Sequence, residues 1–386
     1  MEWVRLRDIG KIVTGNTPPT SKPEFYGDYM PFIKATDISL DSKTTLVTEQ
    51  SYSKRASEKY KESLVPKGST CVVTIGSIGK KMTYAHKDLF VNQAINAIIP
   101  SPKYDNEYIY YNVKYSVLPQ LKKLDSGTTS GRENVSKSSF SNIRIPIVKD
   151  KNIQHRIASI LSTYDSLIEN NTKRIRLLEK MAENLYKEWF VRFRFPGHEN
   201  VEMENGLPKG WSRGSLSDVC EFKRGKNITS SEMEEGNVPV ISAGLEPSGY
   251  HSCSNVRGVN VTMSSSGANA GYIAIHYSDI WAADCSYIKE ATTDNIYYVY
   301  ELLNNIRNVI NNFQRGAAQP HVYPKDVNRI KLILPSKELM LKANGRLEIM
   351  HNEIYNFQKQ NSLLARQRDL LLPRLMSGKL EVKVKE

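Results

Sequence analysis

Two long stretches of the chain repeat apolar residues at alternating steps of mostly four and three. The first runs through Ile153, Ile157, Ile160, Tyr164, Leu167, Asn171, Arg174, Leu178, Met181, Leu185 and Trp189, with charged and polar residues in the gaps. No Gly or Pro falls between Asp150 and Phe195. A sustained period near 3.5 predicts a coiled-coil helix. At ~1.5 Å per residue, about 40 residues make a rod of roughly 60 Å. Pro196-Gly197 ends it, and residues 198–208 read as a linker. The second stretch runs through Met340, Ala343, Leu347, Met350, Ile354, Phe357, Asn361, Leu364, Arg368 and Leu371. Gly345 weakens its first turns, and Pro373 is expected to end or kink it before a strand-like tail from Lys379 to Val384. The simplest packing sets the two helices antiparallel. Asn171 and Asn361 then both occupy seam positions, where a buried polar residue can fix register.

Outside these stretches, short apolar runs alternate with turns, and the pattern occurs twice. Trp3-Val-Arg-Leu6 with Ile9, Ile12 and Gly15 is answered by Trp211-Ser-Arg-Gly-Ser-Leu216 with Val219, Phe222 and Gly225. Met30-Pro31-Phe32-Ile33 is answered by Val238-Pro239-Val240-Ile241. The turn Gly76-Ser-Ile-Gly79 is answered by Ser264-Ser-Ser-Gly267-Ala-Asn-Ala-Gly271, and the Tyr-rich helical stretch Tyr108 to Leu121 by Tyr297 to Phe313. The polar loop Ser126 to Arg132 is answered by Arg315 to His321, and the closing run Ile143 to Pro146 by Ile330 to Pro335. Six features in one order predict a duplication. The expected fold class is α+β: two similar mixed α/β domains separated by two long antiparallel helices, an internal repeat of pseudo-two-fold kind. The boundaries read as 1–149 for the first domain, 150–195 for the first helix, 196–335 for the second domain (196–208 being the linker) and 336–386 for the second helix and tail.

Charge narrows the partner. Lys and Arg number 53 against 41 Asp and Glu in 386 residues, a net +12. Such a chain suits a polyanion, nucleic acid before a membrane surface. Four cysteines without a CxxC pair argue against a disulfide scaffold or zinc ribbon and for a reducing compartment. The start has no apolar signal region and no run of about 18 apolar residues occurs, so a cytoplasmic location without a membrane span is expected.

Catalytic motifs do not assemble. There is no GxxxxGK[ST], no GxGxxG after a strand, no HExxH and no GxSxG, and the seven histidines are scattered singly. Asn16-Thr-Pro-Pro19 lacks the spacing and aromatic residue of an amino-methyltransferase loop, and Glu381-Val-Lys383 is one fragment of a nuclease site without the rest. No catalytic residue and no metal ligand is assigned.

Binding chemistry is plentiful. Candidate DNA-contacting residues in the first half are Lys34, Thr36, Lys80, Lys81, Thr128, Thr129 and Arg132; in the second they are Ser265, Asn269, Arg315, Gln319 and His321. Lys and Arg reach phosphates or guanine edges, Asn and Gln bond adenine, and Ser and Thr adapt to either. Two unlike modules on one chain with a rigid spacer would read a two-part asymmetric site, its halves about one helical turn (~34 Å) apart.

This plan resembles the specificity subunit of type I restriction-modification systems. The likeness covers essentially the whole chain. It rests on Trp3-Val-Arg-Leu6 with Gly15-Asn-Thr-Pro18; on Gln154-His-Arg-Ile157-Ala-Ser-Ile-Leu161 with Asp165; and on Leu185-Tyr-Lys-Glu-Trp189-Phe-Val-Arg-Phe-Arg-Phe-Pro196. Gly206-Leu-Pro-Lys-Gly-Trp211 and Leu370-Leu-Leu-Pro373-Arg-Leu-Met-Ser-Gly378 complete it. The resemblance implies two target-recognition domains joined by antiparallel helices. It further implies double-stranded DNA, two methyltransferase subunits and up to two restriction subunits as partners. S-adenosylmethionine would sit on the methyltransferase subunits, ATP and Mg on the restriction subunits, and no cofactor on this chain. Ile157, Leu161, Leu185, Trp189 and Phe190 would serve core or partner packing. The second helix departs from the pattern: it reads Ala343-Asn-Gly345-Arg-Leu347 where Gln154-His-Arg-Ile157 is awaited, and a shorter or irregular start is expected there.

Two rival readings share some of these features. A stand-alone DNA-binding regulator or architectural protein would have the charge, but would bind its site tightly without a partner. An enzyme with an unfamiliar site would lose activity on mutation of a carboxylate.

Overall fold

The computed structural model describes residues 1–40, 42–126, 133–316 and 319–382. The chain divides into two compact units: residues 1–172 with 359–386, and residues 173–358. Each unit therefore contains a globular part and a portion of both long helices.

The first unit holds an antiparallel four-stranded sheet in the order Gly10–Thr14, Ile95–Pro100, Thr70–Val73, Met82–Tyr84. A three-stranded sheet places Tyr26–Ile33 between an antiparallel Gln50–Tyr52 and a parallel Phe90–Val91. Glu2–Arg5 pairs antiparallel with Arg144–Ile147. The second unit has the same three pieces. Its four-stranded sheet runs Lys223–Arg224, Cys285–Lys289, Asn260–Ser264, Ile273–His276. Val238–Ile241 lies between antiparallel Gly249–His251 and parallel Trp281–Ala282, and Ser212–Ser215 pairs with Lys331–Leu334. Order and polarity agree strand for strand, as expected of a duplicated sequence.

The long helices are Lys151–Tyr186, continued by a π turn Lys187–Val191, and Lys337–Met376. Asp150 starts the first by accepting from the backbone N–H of Asn152 at 2.7 Å, and Ser336 starts the second by accepting from Leu339 at 3.3 Å. Within the first unit they run antiparallel: Asp165 meets Arg368 and Asn171 meets Gln360. Within the second unit the Arg174 guanidinium lies over Phe357 at 5.5 Å and that of Arg346 over Trp189 at 5.3 Å, the same sense. Asn171 and Asn361 do not bond each other. Asn171 donates to Gln360 Oε1 at 3.3 Å and Asn361 to Thr172 Oγ1 at 3.4 Å, leaving Asn361 Oδ1 buried without a partner.

Helix faces complete each core. Ile157, Ala158, Leu161, Leu372, Leu375 and Met376 pack with the first unit's sheet and Tyr-rich helix Asn106–Asn112. Ala182, Tyr186, Trp189, Phe190 and Leu347 do so in the second, with Leu185 half-buried against them. The start of the second long helix corrects the expectation drawn from its missing counterpart of Gln154-His-Arg-Ile157: it is regular from Lys337. The amide of Asn344 does there what Gln154 does in the first unit. Gln154 Oε1 accepts from Asp105 N at 2.8 Å while its amide donates to Val148 O at 2.6 Å. Asn344 Oδ1 accepts from Tyr297 N and Tyr298 N at 3.0 and 3.1 Å while its amide donates to Asp294 O. Both side chains satisfy otherwise orphaned donors where a Tyr-rich helix begins. Pro373 also does not end the helix, which carries on to Met376, and Lys379–Val382 forms no strand. Pro373 lies within the last turn, where the helix has few further backbone bonds to lose.

Candidate nucleic-acid interface

In each globular part a Gly/Ser turn is tied by backbone hydrogen bonds to the late polar loop. In the second unit Gly267 N donates to Pro320 O at 2.9 Å, Val322 N to Ser265 O at 3.0 Å, and Arg315 and His321 exchange both backbone bonds at 2.9 and 2.8 Å. The first unit repeats the set but for one bond: Gly76 N donates to Glu133 O at 2.9 Å, Val135 N to Thr74 O at 2.8 Å and Ser126 N to Asn134 O at 2.9 Å, while Asn134 N donates to Asp125 Oδ1 at 2.7 Å. Gly76 and Gly267 have φ of +86° and +75°, a left-handed bend that glycine takes without strain.

A third loop joins each cluster, the one that follows the middle strand of the three-stranded sheet. In the second unit Ser264 Oγ and the Asn269 amide both donate to Ala243 O, at 3.0 and 3.5 Å, and Ser266 Oγ donates to Asp284 at 2.6 Å. In the first unit the Lys81 ammonium donates to Ala35 O at 3.1 Å, closing on the Lys34–Asp37 turn, where Lys34 N donates to Asp37 at 2.8 Å.

Of the sequence candidates in the first unit, Lys34, Thr36 and Lys81 come together, with Thr36 exposed and Lys34 also pairing with Glu49 at 3.0 Å. Lys80 is exposed beside them. Thr128, Thr129 and Arg132 lie outside the described residues. In the second unit Asn269, Arg315, Gln319 and His321 share the cluster. Gln319 is exposed, Arg315 pairs with Asp326 at 2.9 Å, and the His321 ring stacks on Tyr323 with centroids 6.2 Å apart. Ser265 is buried and serves the turn through its carbonyl. Sequence reasoning missed Asp284, Gln314 (whose amide donates to Ala270 O at 2.8 Å) and the exposed Tyr323. Each is an ordinary loop residue in the sequence, and only the fold brings it to the turn.

What this surface can do is bind. Hydroxyls, amides, cations and turn N–H groups suit phosphates and base edges. Among the described residues no group of three or more His, Cys, Asp or Glu is placed to hold a metal ion. Burial pushes the thiols of Cys71, Cys220 and Cys285 up to about 12, so none is a nucleophile near neutrality. Among the described residues no helix is long and apolar enough to cross a membrane.

Known proteins carry the same plan. Residues 1–180 and 208–362 each match the type I restriction modification DNA specificity domain. The type I restriction enzyme MjaIX specificity subunit of Methanocaldococcus jannaschii is 26% identical over 98% of this chain and 93% of its own length. The HindI specificity subunit of Haemophilus influenzae is 33% identical over 46% of this chain and 38% of its own length. The crystal structure of a type I restriction-modification S subunit from M. genitalium shares the fold, with a TM-score of 0.62 and 22% identity over 97% of this chain and 96% of that one. The two matched segments, the doubled topology and the long helices lead to one family: the chain belongs to the specificity subunits of type I restriction-modification systems.

Proposed function

We propose that the chain reads an asymmetric two-part DNA site, one half with each loop cluster, and is not itself catalytic. The observation that carries this is the repeated bond set between turn and late loop, filled with different side chains. Thr74, Ile75 and Asn134 in the first unit stand where Ser265, Ser266 and His321 stand in the second. A shared frame with unlike edges suits two unlike half-sites. The long helices would carry two methyltransferase subunits and up to two restriction subunits. Exposed apolar side chains on both support this: Ile160, Leu167, Leu363 and Leu370 in the first unit, Leu177, Met181, Leu341 and Ile349 in the second. S-adenosylmethionine, ATP and Mg would arrive on those subunits.

The test is half-site binding by the assembled methyltransferase complex. Arg315→Ala is expected to weaken binding by ~1–3 kcal/mol with discrimination lost in one half-site only, and Arg132→Ala in the other. Parental binding by both variants at several salt concentrations would remove these assignments. Tight specific binding by the chain without any partner would favour a stand-alone regulator.

A further inference from the structure

The second unit contains a cavity of about 470 Å³ beside its edge strand Ile273–His276. Its walls include Glu179 on the first long helix, His351 on the second, Glu301 and Asn304 on the Tyr-rich helix Ile296–Asn305, and the rings of Tyr277 and Tyr300. His351 is 1% exposed; its Nδ1 meets the Tyr277 hydroxyl at 2.9 Å, while Nε2 has no hydrogen bond and lies 3.4 Å from Glu301. Two other charges on the wall are already engaged. Glu183 holds Lys187, and the Arg307 guanidinium sits over the Tyr272 ring at 5.0 Å. Among the described residues that leaves Glu179 without a lysine or arginine within salt-bridge distance, and Glu301 with the His351 ring as its one such neighbour, in a chain of net charge +12.

The first unit shows what the same place looks like when filled. Tyr108-Ile-Tyr110-Tyr111 corresponds to Tyr298-Val-Tyr300-Glu301, a shift of 298 − 108 = 190, which also relates Gln154 to Asn344. The same shift takes Lys114 to Asn304, and the same interval taken backwards, because the two long helices exchange places between the units, takes Asp369 to Glu179. In the first unit each acid has its cation: Lys114 lies 3.6 Å from Asp369, and Arg368 bonds both Asp165 and Asp369. The segment Ser42–Thr45 lies along the edge strand, with Tyr84 N donating to Lys43 O at 2.8 Å. Its Lys43 side chain is buried among the rings of Tyr84, Tyr110 and Tyr111 at 4.8, 5.6 and 5.1 Å, and pairs with Glu107 at 2.7 Å. What remains there is a hollow of about 30 Å³.

Among the described residues the second unit has no such segment. Sixteen residues separate Ile33 from Gln50 (34 to 49), but seven separate Ile241 from Gly249 (242 to 248). Among the described residues no backbone group from outside its sheet pairs with Ile273–His276. Lys114 has become Asn304, and Arg368 has become Leu178. One acid and one ring are kept, Glu179 for Asp369 and Tyr300 for Tyr110, and Glu301 adds an acid where Tyr111 stands, while the cations and the covering strand are gone.

We propose that this cavity receives an extended segment of a partner polypeptide, which lies along Ile273–His276 and inserts a lysine side chain between Glu179, Glu301 and the Tyr277 and Tyr300 rings. Main-chain pairing to a sheet edge would give affinity, and the caged cation would give specificity. DNA is not the occupant, because these carboxylates repel phosphate.

The test uses the full chain and a fluorescent, end-capped peptide with the sequence of residues 39–47, read by anisotropy. Saturable binding is expected at micromolar to millimolar peptide. Norleucine in place of the peptide's lysine should weaken it at least tenfold, as should the isosteric Glu179→Gln/Glu301→Gln variant, with the chain's thermal unfolding kept as the check on folding. Asn304→Lys, which restores the first unit's internal cation, should abolish binding and raise the second unit's resistance to hydrogen exchange. No binding, equal binding of the norleucine peptide, or equal binding by the double variant would overturn the proposal. So would displacement by spermidine at the peptide's own concentration, since that would make the cavity a site for small free cations.

Discussion

Beside its edge strand the first unit is closed and electrostatically complete, whereas the second is open and carries excess acid. In the first, Asp165 is buried, accepts from the Tyr111 hydroxyl and binds Arg368, itself held by Asp369. In the second, His351 and Glu301 take up the interior, and the rest is cavity. Their sheets agree strand for strand and both keep the amide, Gln154 or Asn344, that clamps the Tyr-rich helix. Groups that satisfy the backbone have been retained in the duplication, since an orphaned buried N–H is costly wherever it occurs. Charges facing the edge strand have been free to diverge, because a charge can be balanced by another segment of the chain or by another molecule.

The comparison can be broken most directly at the closed end. Arg368→Ala leaves Asp165 buried without its cation and should destabilise the first unit by ~3–5 kcal/mol. Hydrogen exchange followed separately on peptides of each unit is the readout, and equal loss in both units would refute the division. Core truncation should treat the units alike. Leu161→Ala and Leu347→Ala, both fully buried, should each cost ~2–5 kcal/mol in their own unit by the same readout.

Acid should separate the units again. His276 is largely buried against Thr262 Oγ1, and desolvation pushes its imidazole down to about 4. Between pH 6.5 and 4 the unfolded chain binds this proton and the native unit does not. Stability of the second unit therefore falls as pH falls through that window, by at most about 1.4 kcal/mol per pH unit from this group. Ala85 stands at this register in the first unit, and His276→Gln should flatten the difference in urea titrations at stepped pH. The smallest effect belongs to the helix seam. Asn361→Leu removes one long hydrogen bond together with an unsatisfied oxygen, and should change stability by no more than about 1 kcal/mol in either direction. A larger loss on denaturant unfolding would show that Asn361 does more than the bond to Thr172.

Much of the fold was legible because it repeats. The 3.5-residue period marked both helices, and paired landmarks such as Trp3 and Trp211 marked the duplicated parts. The seam was legible only in outline: period places Asn171 and Asn361 on the inner face, but which residue each bonds depends on a one-residue offset between antiparallel helices. The departure at Ala343-Asn-Gly345-Arg-Leu347 misled, because the local cost of Gly345 is small and the packing of Ala343 and Leu347 outweighs it. In the loop clusters residue types were readable and partners were not. Ser266 finds Asp284 across 18 positions, and nothing local announces it. Lys43 was the least visible of all. In the sequence it is one more cation in a polar loop; its burial follows from rings and an acid some 40 to 70 positions away.

In the proposed function this chain directs modification to one asymmetric two-part DNA site. A genome-wide methylation map by long-read sequencing of the host, with the gene intact and deleted, tests this. Loss of adenine methylation at a single two-part, non-palindromic motif on deletion is the predicted result. Persistence of every methylated motif without this chain would contradict it.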